Sequence, residues 1–211
     1  MPDESTQARI LEAGKAEFLA KGYESASLRG IAARAGVTTG AIYGYFPDKA
    51  ALFSALVAEP AAHLRNWYLS VQTEFDAYPA EYKEKQMHSY TGRALEEFID
   101  YVYLHFDAFK LMVCCSAGTA YEDYIDSLIE IEIEHTRRFV TALRGIGYQI
   151  PDIDKDMSHI LSSAFYYGIF ETVAHDMPKE RALEYIGTLN RFYSAGWDTI
   201  LGLQSFRDNS G

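Results

Sequence analysis

Apolar residues recur at helical spacing along nearly the whole chain. Ile10, Leu11 and Phe18 fall near one stripe with Gly14 and Lys21, and predict a helix that starts at Ser5 or Thr6 and ends at Gly22. Leu28, Ile31, Ala32 and Ala35 mark a second, short helix. Ser27 can cap it by accepting a backbone N–H, and Gly36 can stop it in a left-handed conformation at little steric cost. Val37 plugs the corner. Thr38 can cap a third helix, which carries Ile42 and Phe46 inward until Pro47 ends it. Two short helices joined by a turn of about three residues form a helix-turn-helix, a unit that sets its second helix in the DNA major groove.

The next helix runs from Asp48 through Leu52, Phe53 and Leu56, and Pro60 is expected to kink or break it. A further helical stretch, Ala61 to Tyr78, carries Leu64, Trp67, Tyr68, Val71 and Phe75. Pro79 to Ser89 is polar and charged, and reads as a loop or a loosely helical turn. From Thr91 the pattern is helical again, with Leu95, Phe98, Ile99, Val102 and Phe106 on one face. Phe109 to Cys115 reads as buried all round. Tyr121 to Gly145 reads as one long helix despite the strand-like alternation of Glu130 to Glu134. Asp154 to His175 and Pro178 to Leu203 complete the set. The fold class predicted is all-α.

The run from Ile10 to Leu52 resembles the DNA-binding domain of TetR-family transcriptional regulators. Ile10, Leu11, Phe18, Gly22, Tyr23, Ser27, Ile31, Ala32, Ala35, Gly36, Val37, Gly40, Tyr43, Phe46, Lys49 and Leu52 carry the resemblance. It implies residues 1–52 as a helix-turn-helix domain and 53–211 as a larger ligand-binding and dimerisation domain. It also implies DNA contact at Thr38, Gly40, Ala41, Tyr43, Tyr45 and Lys49, and Ser27 and Thr39 join them at the helix starts.

The chemistry of these groups is suited to the task. Threonine hydroxyls reach phosphates or base edges, the Ala41 methyl can touch a thymine methyl, and phenols suit phosphate contacts. Thr39 stands where the family often has Lys or Arg, Tyr45 where it often has His, and Gly14 where alanine is usual. The competing readings are core packing for Tyr43 and Tyr45, and a solvated Lys49 neutralised by Asp48.

Charge qualifies this picture. The chain of 211 residues carries a formal −11. Residues 1–52 hold six basic and six acidic side chains, so the excess lies entirely in the rest, where it should weaken non-specific DNA binding. The apolar share of 48% and aromatic share of 14% are ample for a core and exclude a disordered chain. No apolar run approaches the roughly 20 residues of a membrane helix. The polar N-terminus reads as no signal peptide, so the expected location is cytoplasmic, with no membrane partner. Cys114 and Cys115 are adjacent, a spacing that suits neither a disulfide between them nor a zinc site. They read as small buried side chains or, alternatively, as a thiol sensor.

Residues 60–211 hold 24 aromatic side chains. In TetR-like proteins the body binds a small molecule between its helices, and binding releases a palindromic operator. By that resemblance the candidate ligand residues are Tyr103, Phe106, Phe109, Met112, Tyr124, His135, Phe139, Phe165, Tyr166 and Phe170, each of which could equally be ordinary core. The last two helices are expected to pair with their copies in a homodimer. No cofactor or metal is implied. Glu132 and His135 match a Glu-x-x-His spacing only once, and no GxSxG, HExxH, P-loop or CxxC motif occurs. The sequence therefore points to a DNA-binding regulator, most simply a repressor released by a small-molecule effector, and away from an enzyme. The alternative is a regulator controlled by a protein partner or by oxidation at Cys114 or Cys115.

Overall fold

The computed structural model describes residues 4–203, and every regular element among them is a helix. In chain order these are α1 (Glu4–Ser25), α2 (Leu28–Ala35), α3 (Thr39–Tyr43), α4 (Lys49–Ala77), α5 (Ala80–Leu104), α6 (Phe106–Cys115), α7 (Tyr124–Gly145), α8 (Lys155–Ala174) and α9 (Lys179–Ile200). The chain is all-α, as its periodicity predicts. It divides into two compact units. The first runs to Leu64 and takes in Leu104–Tyr124. The second takes in Arg65–Tyr103 and the chain from Ile125 onward.

The first unit is built on fully buried Ile10, Phe18, Ile31, Ile42, Leu52 and Phe53. Each such side chain contributes about 1.5–3 kcal/mol by leaving water. The Phe53 ring meets Phe18 edge-on at 5.1 Å and Tyr23 at 5.4 Å. Gly14 is buried, and a Cβ there would lie 3.3 Å from a Leu52 methyl, so the glycine lets α4 press close to α1. The helix breaks at Gly22, whose φ of 72° suits glycine. The segment from Leu104 packs with this unit through α6, where Lys15 pairs with Asp107 at 3.0 Å.

The second unit packs Phe75, Phe139, Val140, Leu143, Ile150, Leu201 and Leu203 into one cluster, flanked by Tyr78, Met87, Tyr90 and Trp197. Helices α8 and α9 meet at Gly168, where a Cβ would lie 2.9 Å from a Leu189 methyl. Their other faces carry exposed apolar side chains: Ile160 and Tyr167 on α8, Tyr185 and Phe192 on α9.

Three local expectations need correction. Pro60 does not interrupt α4, which continues from Lys49 to Ala77. Its ring removes the N–H that would reach the Leu56 carbonyl, but buried Val57, Ala61, Leu64 and Tyr68 keep helical spacing across it and hold the helix together. Residues 80–89 are the start of α5 and no loop. Their charges form the outer face of an amphipathic helix, while Lys83 is buried and Met87 packs on the core. Finally, Phe109 to Cys115 is not buried all round, because Cys114 is exposed.

Candidate functional site

The first candidate site is the α2–turn–α3 unit. Ser27 Oγ accepts the Gly30 N–H at 3.1 Å and starts α2. Gly36 takes the left-handed conformation at φ 67°, and the Val37 N–H closes back on the Ala32 carbonyl at 3.0 Å. Thr38 Oγ1 accepts the Ala41 N–H at 3.1 Å and starts α3. Ile42 is fully buried beneath, and Phe46 anchors the exit.

That anchoring sets the outward face. Ser27, Thr38 and Gly40 are exposed, Thr39, Ala41 and Tyr45 half-buried, and Tyr43 is 55% exposed. All eight residues expected at DNA, half-buried Lys49 included, therefore keep some surface on this unit. Both capping hydroxyls accept a backbone N–H, which leaves their own protons for an outside acceptor.

Lys49 is placed differently. Its Nζ donates to the carbonyls of Tyr23 at 2.7 Å, Ala26 at 3.1 Å and Glu24 at 3.2 Å, and lies 4.4 Å from the centre of the Tyr23 ring. Three acceptors match the three protons of an ammonium. Half-buried Lys49 is turned to these carbonyls and not to Asp48, which caps α4 instead by accepting the Ala51 N–H at 2.7 Å.

A residue the sequence reading passed over supports the unit from below. Glu17 is buried, with its carboxylate 2.7 Å from Lys21 Nζ. The Lys21 ammonium first, and the Ser27 N–H further, hold its pKa below the ordinary 4.5. A Cβ at Gly30 would lie 2.5 Å from the Glu17 Oε1, so Gly30 leaves room for this carboxylate.

The second candidate site is a cavity of about 180 Å³ inside the second unit. Tyr68, Gln72 and Phe75 of α4, His88, Tyr90 and Phe98 of α5, Glu132, Thr136 and Phe139 of α7, Phe165 and Tyr166 of α8, and Tyr193 and Trp197 of α9 line it. Trp67 packs on Phe98 from α4, with ring centroids 6.4 Å apart.

Glu132 is the polar centre. Tyr68 and Tyr166 hydrogen-bond to each other and to its carboxylate, the latter at 3.3 Å to Oε2. The Gln72 amide donates to the same Oε2 at 2.8 Å, and the Thr136 hydroxyl to Oε1 at 3.3 Å. Burial, and then the charge of Glu132, push both phenols well above their ordinary pKa, so they stay protonated donors. Elsewhere on the wall, His88 Nε2 meets the buried Asp198 carboxylate at 3.0 and 3.1 Å. Tyr90 donates to the Val71 carbonyl at 3.0 Å, and burial pushes its pKa to about 12.

Of the ten residues expected around a ligand, Phe139, Phe165 and Tyr166 line this cavity. Phe170 sits behind Phe98, edge-on at 6.0 Å. Tyr103 donates to the Met177 carbonyl at 3.0 Å. His135 turns to Asp76 at 2.7 Å, with Arg138 on the same carboxylate oxygen at 3.2 Å, and is a satisfied core histidine. Phe106, Phe109, Met112 and Tyr124 belong to the first unit, where the Tyr124 hydroxyl donates to the Ala61 carbonyl at 3.0 Å. Cys115 is buried, and that burial raises its thiol pKa. Among the described residues no group of His, Cys, Asp and Glu could hold a metal ion, and no helix is long and apolar enough to cross a membrane.

A capped α2, a left-handed turn and a short α3 with an exposed face define a helix-turn-helix protein. Residues 10–56 match the sequence model described as "Bacterial regulatory proteins, tetR family". It is 37% identical over 76 residues to the HTH-type transcriptional regulator AcrR of Shigella flexneri. That match spans 36% of this chain and 35% of the relative, about a third of its length. Among solved structures, a TetR-like transcriptional regulator from Rhodococcus sp. RHA1 matches with a TM-score of 0.55 and 18% identity, covering 93% of this chain and 99% of its own. This likeness shows a shared fold. The fatty acid degradation regulator FadR from Bacillus halodurans matches with a TM-score of 0.49 and 17% identity over 92% of this chain and 97% of its own.

Proposed function

We propose that this protein is a sequence-specific DNA-binding transcriptional regulator. In this reading it is a homodimeric repressor whose operator is released when a small molecule enters the cavity of the second unit. The observation that carries the reading is the exposed face of α3, held by its caps within a segment that matches the tetR family over residues 10–56. Thr39, Gly40 and Tyr43 offer hydroxyls and bare backbone to phosphates and base edges. A dimer through α8 and α9 presents two such faces to a two-fold symmetric site. Helix α4 supplies both Lys49, beside the reading unit, and cavity residues such as Tyr68 and Gln72, so it is the natural carrier of the ligand's effect.

Selection of bound duplexes from a random DNA pool tests this. The expected outcome is one palindromic motif. Recovery of no motif at low salt, from protein verified as a folded dimer and stripped of small molecules by denaturation and refolding, overturns the reading.

A further inference from the structure

We propose that the cavity of the second unit takes an organic cation, a protonated amine on an aromatic or aliphatic body, with the Glu132 carboxylate as its counter-charge. The proposal rests on the reading of this cavity as the ligand site.

The charge balance of the wall carries it. Glu132 is the carboxylate among the residues lining the cavity, and none of them is a lysine or an arginine. Its described partners are two phenols, an amide and a hydroxyl, all neutral donors. They solvate the charge without cancelling it. Glu132 is half-buried, and a ligand that covers it would complete its desolvation, a cost that the ligand's own ammonium offsets.

The two carboxylate oxygens are not equally engaged. Oε2 receives Tyr68, Tyr166 and Gln72, whereas Oε1 meets the Thr136 hydroxyl at 3.3 Å. A carboxylate has about four acceptor positions, so Oε1 can accept an N–H from a ligand. Around it the walls are aromatic. Tyr68 and Tyr166 each meet Phe98 edge-on, at 6.1 and 6.4 Å. Ring faces attract cations through their quadrupoles and accommodate an apolar body by contact. A carboxylate or phosphate ligand would meet the Glu132 charge, while His88, the basic side chain on the wall, already faces the Asp198 carboxylate.

A matched series on the full-length protein tests the assignment. The probes are 2-phenylethylamine, propylbenzene and 3-phenylpropionate, with the corresponding naphthyl and indolyl sets, measured by titration calorimetry. The amines are expected to bind about tenfold or more tightly than their neutral counterparts, as a charge-assisted hydrogen bond warrants. The carboxylates should bind weakest. Glu132→Gln should abolish the amine preference, read as the ratio of amine to neutral-probe affinity within the variant. Gln72→Lys places an ammonium on Glu132 from within and should abolish the preference too, so the proposal does not hang on one variant. Neutral or anionic probes binding as well as the amines, or an amine preference that survives in both folded variants, overturns the cation assignment alone. Binding of no probe by folded protein overturns the cavity as a ligand site, and the cation with it.

Discussion

Gly30 and Glu17 constrain each other. The 2.5 Å that a Cβ would leave to the Glu17 carboxylate is too short, and that carboxylate is fixed by Lys21 and the Ser27 N–H. Gly30→Ala should therefore lower stability by about 1–3 kcal/mol, as overpacking does, read by urea unfolding. The Glu17→Ala background should cancel part of that loss, and strictly additive effects of the two changes would count against the contact. Glu17 also sets an acid limit. Its folded pKa lies below its ordinary 4.5, so its contribution is present above that pH and is lost as pH falls through the folded value. Glu17→Gln should flatten the acid limb of a stability-against-pH curve below 4.5. On the reading face, Tyr43→Phe should weaken binding to all DNA sequences alike, while substitutions at Ala41 should change which operator is preferred. The mirror result in parallel DNA-binding titrations would reverse those roles.

At the scale of elements, several helix ends are closed by cations from elsewhere in the chain. Neither α1 nor α4 has a basic residue in its own last turn. Lys49 closes α1 on three carbonyls, buried Lys83 donates to the Asp76 carbonyl at 3.1 Å near the end of α4, and Arg9 reaches the last carbonyl of α2, on Ala35, at 3.4 Å. A positive charge there opposes the negative end of the helix dipole and fills carbonyls that lack partners. Lys49→Met and Lys83→Met should each cost about 1.5–3 kcal/mol in chemical denaturation, the range for hydrogen bonds to charged groups. Unchanged midpoints would mean that water serves these carbonyls equally well.

These closures show where the sequence stops being legible. Caps, glycine stops and apolar spacing are local, so Ser27, Gly36, Thr38 and Asp154 mark their helices without help from the fold. The carbonyl partners of Lys49 lie more than twenty residues away, where local spacing offers only a DNA phosphate or, as the competing reading, Asp48. The first two turns of α5 were obscured because charged residues on an exposed helix face look like a loop. The cavity was half legible. Phe139, Phe165 and Tyr166 follow from aromatic spacing on α7 and α8, but Gln72 and His88 become wall residues only once α4 and α5 are packed against them. His135 has the chemistry of a ligand group, yet Asp76 claims it.

At the scale of the molecule, α8 and α9 leave Ile160 61% and Phe192 72% exposed, and nothing lies within 4 Å of a Cβ built on Gly196. A second copy laid on these faces would bury the apolar groups and approach the bare backbone closely. Phe192→Asp is expected to sediment as a monomer, with unchanged helical circular dichroism, at concentrations where the parent chain is a dimer. A variant that stays dimeric would move the interface elsewhere. The tryptophans extend the two-unit division into spectroscopy. Trp67 and Trp197 both belong to the second unit, and the first holds tyrosine but no tryptophan. Indole emission during denaturation thus follows one unit alone. Set against far-ultraviolet dichroism, which sees every helix, it reveals whether the reading unit melts before, after or together with the rest.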